Sequence, residues 1–226
     1  MEKRPVNILL CTDNEGKIAE IRARWNVAGT KIWSIEEINS AFGLSLTAPN
    51  VVEDGHTLEE NAWLKTEGWY KQLGPVLGQV FGGEIAFLAE DSGLFVYALP
   101  GKLGVFSKRF APKEMQETMG VAQANNTQLL QLLTAVPTAR RTGHYAAALC
   151  LVDISGEILF ETTGELKVTI VTEARGSLGF GYDPLTVPNG QAKTFGEMTT
   201  EEKNSLGTHR TRALDQLVAW LQTQVA

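Results

Sequence analysis

Two adjacent carboxylates, Glu90 and Asp91, close the apolar run from Ile85 to Ala89 and are followed by Ser92-Gly93. Acids at the end of a buried strand are costly unless positive charge meets them. A divalent cation brought in by a phosphate substrate would supply that charge. The segment Thr12-Asp13-Asn14-Glu15-Gly16-Lys17 lies between an apolar run and a helical pattern. A helix N-terminus offers unpaired N–H groups and the positive end of a dipole, so anions bind there readily. Thr12 and Asn14 can cap or donate, and Lys17 adds a charge one turn in. Glu53 sits in a loop ahead of a second helix that carries Lys65. Glu59 and Glu60, in that helix's first turn, are explained by its dipole, whereas Glu53 has no such structural role. Glu53 and Asp91 could share one Mg²⁺, which prefers a few carboxylates plus phosphate oxygens and water. Neighbouring strand residues face opposite ways, so Asp91, beside the Ser-Gly pair, is preferred over Glu90 as the reactive acid.

The other chemistry-bearing residues come late in the chain. Phe180-Gly181-Tyr182-Asp183-Pro184 precedes Lys203, His209 and Arg210, and Phe180 or Tyr182 could stack on a base. Each has an ordinary alternative: a surface lysine, a capping or core histidine. The phosphate loop Gly-Lys-Ser/Thr is absent. Gly176-Ser177-Leu178-Gly179-Phe180-Gly181 leads into Tyr-Asp-Pro rather than a helix, so it is not a dinucleotide fingerprint.

Positioning these groups falls to an alternation of strands and helices. Strands are expected at Val6–Cys11, at Ile85–Ala89 and Leu94–Leu99 around a Glu-Asp-Ser-Gly turn, and in a long hairpin, His144–Ile154 and Glu157–Val171, joined at Ser155-Gly156. Helices are expected at Asn14–Trp25, from Thr57 as N-cap to Leu73, across 113–135 with a break near Gly120, from Glu201, and in a final amphipathic stretch carrying Ala213, Leu214, Leu217, Val218 and Leu221. Residues 39–57 and 176–197 read as loop. This is the α/β class with a mixed sheet. The 226-residue chain, 43% hydrophobic and 20% charged, is ordinary for a soluble globular protein in one large domain or two lobes, with no linker-like stretch. Its net charge of −6, with no basic run, argues against a general nucleic-acid binder. Cys11 and Cys150 both sit in apolar runs and read as buried thiols of a reducing compartment, and zinc would need more ligands. The opening Met-Glu-Lys-Arg-Pro and the short apolar stretch after it are too brief for a secretory leader, and no segment reaches membrane-spanning length. A cytoplasmic protein is expected.

Taken together, Thr12-x-Asn14-x-x-Lys17, Glu60-Asn61-Ala62-x-x-Lys65, Glu90-Asp91-Ser92-Gly93-Leu94, Gly104-Val105-x-Ser107-x-Arg109-Phe110, Gly179-Phe180-Gly181-Tyr182-Asp183-Pro184, Glu202-Lys203-Asn204 and His209-Arg210 occur in that order over nearly the whole chain. The set resembles the inosine/xanthosine triphosphate pyrophosphatase family. The resemblance implies an elongated α/β body of two lobes, flanking helices around a mixed sheet, and an active site in a central cleft. It implies Mg²⁺-dependent hydrolysis of non-standard purine nucleoside triphosphates to monophosphate and pyrophosphate, usually by a homodimer. By position, Thr12, Asn14, Lys17 and Lys65 would hold the triphosphate. Glu53 and Asp91 would bind the metal, and Asp91 would also accept a proton from the attacking water. Ser92 and Arg109 would touch the nucleotide. Phe180, Gly181, Tyr182, Asp183, Lys203, His209 and Arg210 would form the base pocket. Inosine and xanthosine carry an oxygen at C6 where adenine carries an amino group, and Arg and Lys only donate. The chain departs from the family pattern at Glu90, where Asp is common, at Lys102-Leu103-Gly104, at an extra residue between Lys203 and His209, and at Thr211. Two other readings remain: a catalytically silent nucleotide-binding protein, and a related pyrophosphatase acting on modified pyrimidine or methylated nucleotides.

Overall fold

Ile8, Leu9, Leu10 and Cys11 are fully buried, and that continuous apolar run makes an inner parallel strand the favourable state for this segment. A computed structural model describes residues 6–224 of the protein. Met1 to Pro5, the charged front of the leader reading, lie outside the described residues. The elements are β1 (Asn7–Leu10), α1 (Glu15–Arg24), β2 (Lys31–Trp33), α2 (Ile35–Phe42), α3 (Leu58–Val80), β3 (Ile85–Val96), α4 (Lys113–Met119), α5 (Val121–Leu132), β4 (Thr142–Val152), β5 (Ile158–Ile170), β6 (Thr186–Pro188), α6 (Thr200–Leu206) and α7 (His209–Thr223). The strands form one mixed sheet in the order β2-β1-β3-β4-β5-β6. β1 runs parallel to both β2 and β3, with Asn7 opposite Lys31 and Ile85, whereas β5 and β6 are antiparallel. The α/β class read from the sequence is the one observed.

The chain divides into two compact units. Among the described residues the first comprises 6–91, 147–163 and 211–224, and its core joins Ile8, Leu10, Ile18, Ile21, Leu88, Leu149, Leu217 and their neighbours. The second comprises 92–146 and 164–210, with Leu94, Leu129, Tyr145, Val168, Ile170, Tyr182 and Phe195 in its core.

Four expectations need correction. The Glu-Asp-Ser-Gly stretch is not a turn between two strands, because β3 runs through it for 12 residues. Gly93 keeps the strand extended where a Cβ would lie 2.3 Å from the Gly104 carbonyl oxygen, so only glycine fits this close backbone approach. Residues 39–42 are helical, the end of α2, which Ser34 and Glu37 open with a reciprocal capping box and Gly43 closes at φ 66°. α3 continues past Leu73 through Pro75 to Val80. Proline inside a helix costs about 3 kcal/mol; burial of Leu73 and Leu77, with Ile154 against Gly74 and Gly78, opposes that cost. β6 lies within the stretch read as loop. The break between α4 and α5 falls at Gly120, as expected.

Candidate active site

In the first unit, β1 ends beside β3, where Cys11 N–H donates to the Leu88 carbonyl. The chain then turns into α1. Asn14 is its N-cap, accepting from Lys17 N–H at 3.1 Å, and the Thr12 hydroxyl accepts from Asn14 N–H at 3.2 Å. One turn into α1, Lys17 Nζ lies 2.6 Å from Glu90 Oε2 and 3.5 Å from the Glu90 carbonyl. Lys65, on α3, reaches the same Glu90 carbonyl at 3.3 Å and pairs with Glu53 Oε2 at 2.8 Å. Two lysines from separate elements therefore meet at one peptide group of β3, next to Asp91. Asn61, one turn before Lys65, donates from Nδ2 to Asp91 Oδ2 at 3.1 Å.

The electrostatics follow from this crowding. Burial opposes the charge on Lys65, but Glu53 foremost, with Asp91 and Glu90 adding to it, raises its pKa above the ordinary lysine value. Burial likewise raises the Asp91 carboxyl, and Glu90 pushes the same way. Lys65, Lys17 and the Asn61 hydrogen bond offset only part of this. Glu90 is 4% exposed and ion-paired to Lys17, so the acid ranked second in the sequence is an integral member of the cluster.

No group of three or more His, Cys, Asp or Glu converges among the described residues to cage a metal. The donor set instead places carboxylates of Glu53 and Asp91 around Lys65. Carboxylates are the donors that a hard divalent cation such as Mg²⁺ takes together with phosphate oxygens and water.

The second unit gathers the late residues. Asp183 Oδ2 accepts from Lys203 Nζ at 2.8 Å and from Phe180 N–H at 3.2 Å. Gly179 adopts φ +85°, and a Cβ there would fall 1.9 Å from Asp183 Oδ2, so glycine is required twice over. The Gly181 carbonyl accepts from Asn126 Nδ2 at 3.0 Å. Arg210 Nη2 lies 3.3 Å from Ser92 Oγ. His209 stacks on Tyr145 with ring centroids 4.9 Å apart. Arg109 stands on the turn Gly104–Arg109 with its guanidinium 5.5 Å from the Phe106 ring.

Tyr182 corrects an expectation. It is 6% exposed, its hydroxyl donates to the Ser107 carbonyl at 2.7 Å, and burial pushes its pKa well up. Its ring belongs to the core, which leaves Phe180, 48% exposed, as the ring available to a base. Sequence reasoning also gave no role to Asn61, Asn126 or Tyr145. For Asn61 a signal existed: it stands four residues before Lys65, on the same helix face. Asn126 and Tyr145 had none, because their partners are distant in the chain.

Comparison with known proteins bears on this constellation. A family model described as the Ham1 family matches residues 8–220. A dITP/XTP pyrophosphatase of Rhodopirellula baltica is 38% identical over 211 residues, covering 93% of this chain and 90% of the relative. The Ham1 protein of Staphylococcus aureus superposes with a TM-score of 0.75 at 27% identity, over 97% of this chain and 100% of that one. A nucleoside-triphosphatase / dITP/XTP pyrophosphatase of Mycobacterium abscessus does so with a TM-score of 0.66 at 32% identity, over 93% and 98%. On sequence and fold alike, this chain belongs to the Ham1 family.

Proposed function

We propose that the protein hydrolyses non-standard purine nucleoside triphosphates (dITP, ITP and XTP) to the monophosphate and pyrophosphate, removing them from the nucleotide pool. It is a hydrolase acting on a phosphoanhydride bond. The observation that carries the reading is the meeting of Lys17 and Lys65 at the Glu90 carbonyl beside Asp91. Curated relatives named dITP/XTP pyrophosphatase support the substrate class.

Thr12, Asn14 and the N-terminus of α1 suit the triphosphate tail. Lys17 and Lys65, now paired with Glu90 and Glu53, would exchange those carboxylates for phosphate oxygens and hold the charge that develops there. Glu53 and Asp91 would hold Mg²⁺, which when bound screens phosphate charge and acidifies water. Asp91, with its raised pKa, suits acceptance of a proton from attacking water. In the second unit, Phe180 offers a stacking face, and Lys203 and Arg210 offer only donors to a purine. A C6 oxygen satisfies such donors, whereas the adenine amino group opposes them. Ser92, His209 and Arg109 would complete the nucleotide contacts.

No helix among the described residues is long and apolar enough to cross a membrane. We infer a cytoplasmic homodimer from the family resemblance, and light scattering tests the dimer. The deciding assay presents dITP, XTP, ITP, GTP and ATP with Mg²⁺ and identifies the products. Pyrophosphate from the first three, well above ATP, is expected; GTP shares the C6 oxygen, so its rate reads whether the guanine 2-amino group is opposed as well. Orthophosphate release would refute the assigned bond, and tight dITP binding without turnover would leave a silent nucleotide binder.

A further inference from the structure

Asn61 is 1% exposed, and both ends of its amide are engaged. Oδ1 accepts from Gly55 N–H at 2.9 Å, and Nδ2 donates to Asp91 Oδ2 at 3.1 Å. Gly55 lies two residues after Glu53, in the loop that leads into α3. The next amide, His56 N–H, is held by Glu60 Oε2 at 2.6 Å, and Thr57 caps the helix. The loop carrying one acid is thereby fastened to the helix that also holds the other acid. The approach is close: a Cβ at Gly55 would lie 2.8 Å from Asn61 Oδ1 and 2.8 Å from Glu60 Cβ.

We propose that Asn61 is a positioning residue for the two proposed metal-binding carboxylates: its single buried amide fixes the separation of the Glu53 loop from Asp91 so that both reach one Mg²⁺. The inference rests on the functional reading above. The side-chain chemistry is restrictive. A backbone N–H needs an acceptor and a carboxylate needs a donor, and the Asn61 amide supplies both from opposite sides of one rigid group. Alanine removes both bonds. Aspartate keeps the acceptor for Gly55 but sets a second carboxylate against Asp91. Groups that hold the ligands of a metal typically change its affinity by about 10- to 100-fold when replaced.

The test uses three measurements on the full chain: the Mg²⁺ concentration that half-saturates pyrophosphate release from dITP, dITP binding in EDTA, and amide hydrogen exchange at Gly55 and His56. Asn61→Ala is expected to raise half-saturating Mg²⁺ about tenfold or more, lower kcat, and speed exchange at Gly55. Metal-free dITP binding should stay as in the parent, because Thr12, Asn14 and Lys17 are held by other contacts. Asn61→Asp should keep Gly55 protected and still shift the metal dependence, which separates the two ends of the amide. Gly55→Ala, which removes nothing from the core, should shift it too and covers the case in which Asn61→Ala fails to fold. Parent-like Mg²⁺ dependence in both Asn61→Asp and Gly55→Ala overturns the proposal. So does a loss of metal-free dITP binding that parallels the loss of metal dependence, since that marks a merely structural role. Mn²⁺ titration with a non-hydrolysable dITP analogue, followed by electron paramagnetic resonance, reads the same effect without turnover. If the parent protein releases no pyrophosphate, the functional reading fails on its own, and unchanged Mn²⁺ affinity in the variants would separately sink this one.

Discussion

The two groups of candidate site residues are held by different forces. In the first unit the groups are charges that hold one another: Lys17 with Glu90, Lys65 with Glu53, and Asp91 between an amide and two ammonium groups. In the second unit one charged pair, Lys203 with Asp183, serves chiefly to brace a glycine loop, while a buried tyrosine and a stacked histidine set its shape. The lesson is that substitutions in the first group should alter charge balance and rate, and those in the second should alter the fit of a base.

The sharpest way to break this contrast is Asp91→Asn. Loss of the proposed proton acceptor and metal ligand should lower kcat by about 10²- to 10⁴-fold. The same change should raise the melting temperature at pH 7. A carboxyl whose folded pKa lies above its unfolded one binds its proton more tightly when folded, so stability falls as pH rises from the unfolded value through the folded one. Above the folded pKa that penalty is complete, and the neutral amide removes it. A melting temperature that drops at pH 7 would contradict the charge-crowding account. Lys65→Met should come next, costing about 10²- to 10³-fold in kcat with base preference intact; a changed dITP-to-GTP ratio would show that the two groups are not separable in this way.

Within the second unit, Asp183→Asn should loosen Lys203 and the Phe180 amide. It should narrow the preference for dITP over dATP by about tenfold while leaving the Mg²⁺ dependence unchanged. Gly179→Ala should destabilise by about 1 to 3 kcal/mol, since the backbone there is left-handed and the space is filled; urea unfolding measures it, and a neutral result would mean the loop re-forms elsewhere. The smallest effect belongs to a pair outside both groups. Arg24 and Asp215 meet at 2.6 Å with nearly half of each side chain exposed, so Arg24→Ala should change stability by only about 0.2 to 1 kcal/mol and activity not at all.

Much of this was legible in the residues. The apolar runs that became β1, β4 and the buried face of α7 depend on local pattern, as do the Thr57 cap and the Gly120 break. The chemistry-bearing residues were also visible, because types such as an acid in a buried run are anomalous wherever they stand. The continuity of β3 was not legible: Glu90-Asp91-Ser92-Gly93 has the composition of a turn, and it remains a strand only where Lys17, Lys65 and Asn61 satisfy its polar groups. Tyr182 shows the converse, since its neighbours look like an exposed loop but its ring finds a core built from residues far away in the chain.

The amino-acid order alone determined which segments are apolar, where helices start and stop, and which residue types are present to do chemistry, because those properties act over a few neighbouring positions. Only the folded chain decided which acid meets which lysine, which aromatic ring stays exposed, and that one asparagine amide bridges a loop and a strand 30 residues downstream. Such contacts depend on distances between segments far apart in the chain, and those distances are set by the packing of the whole.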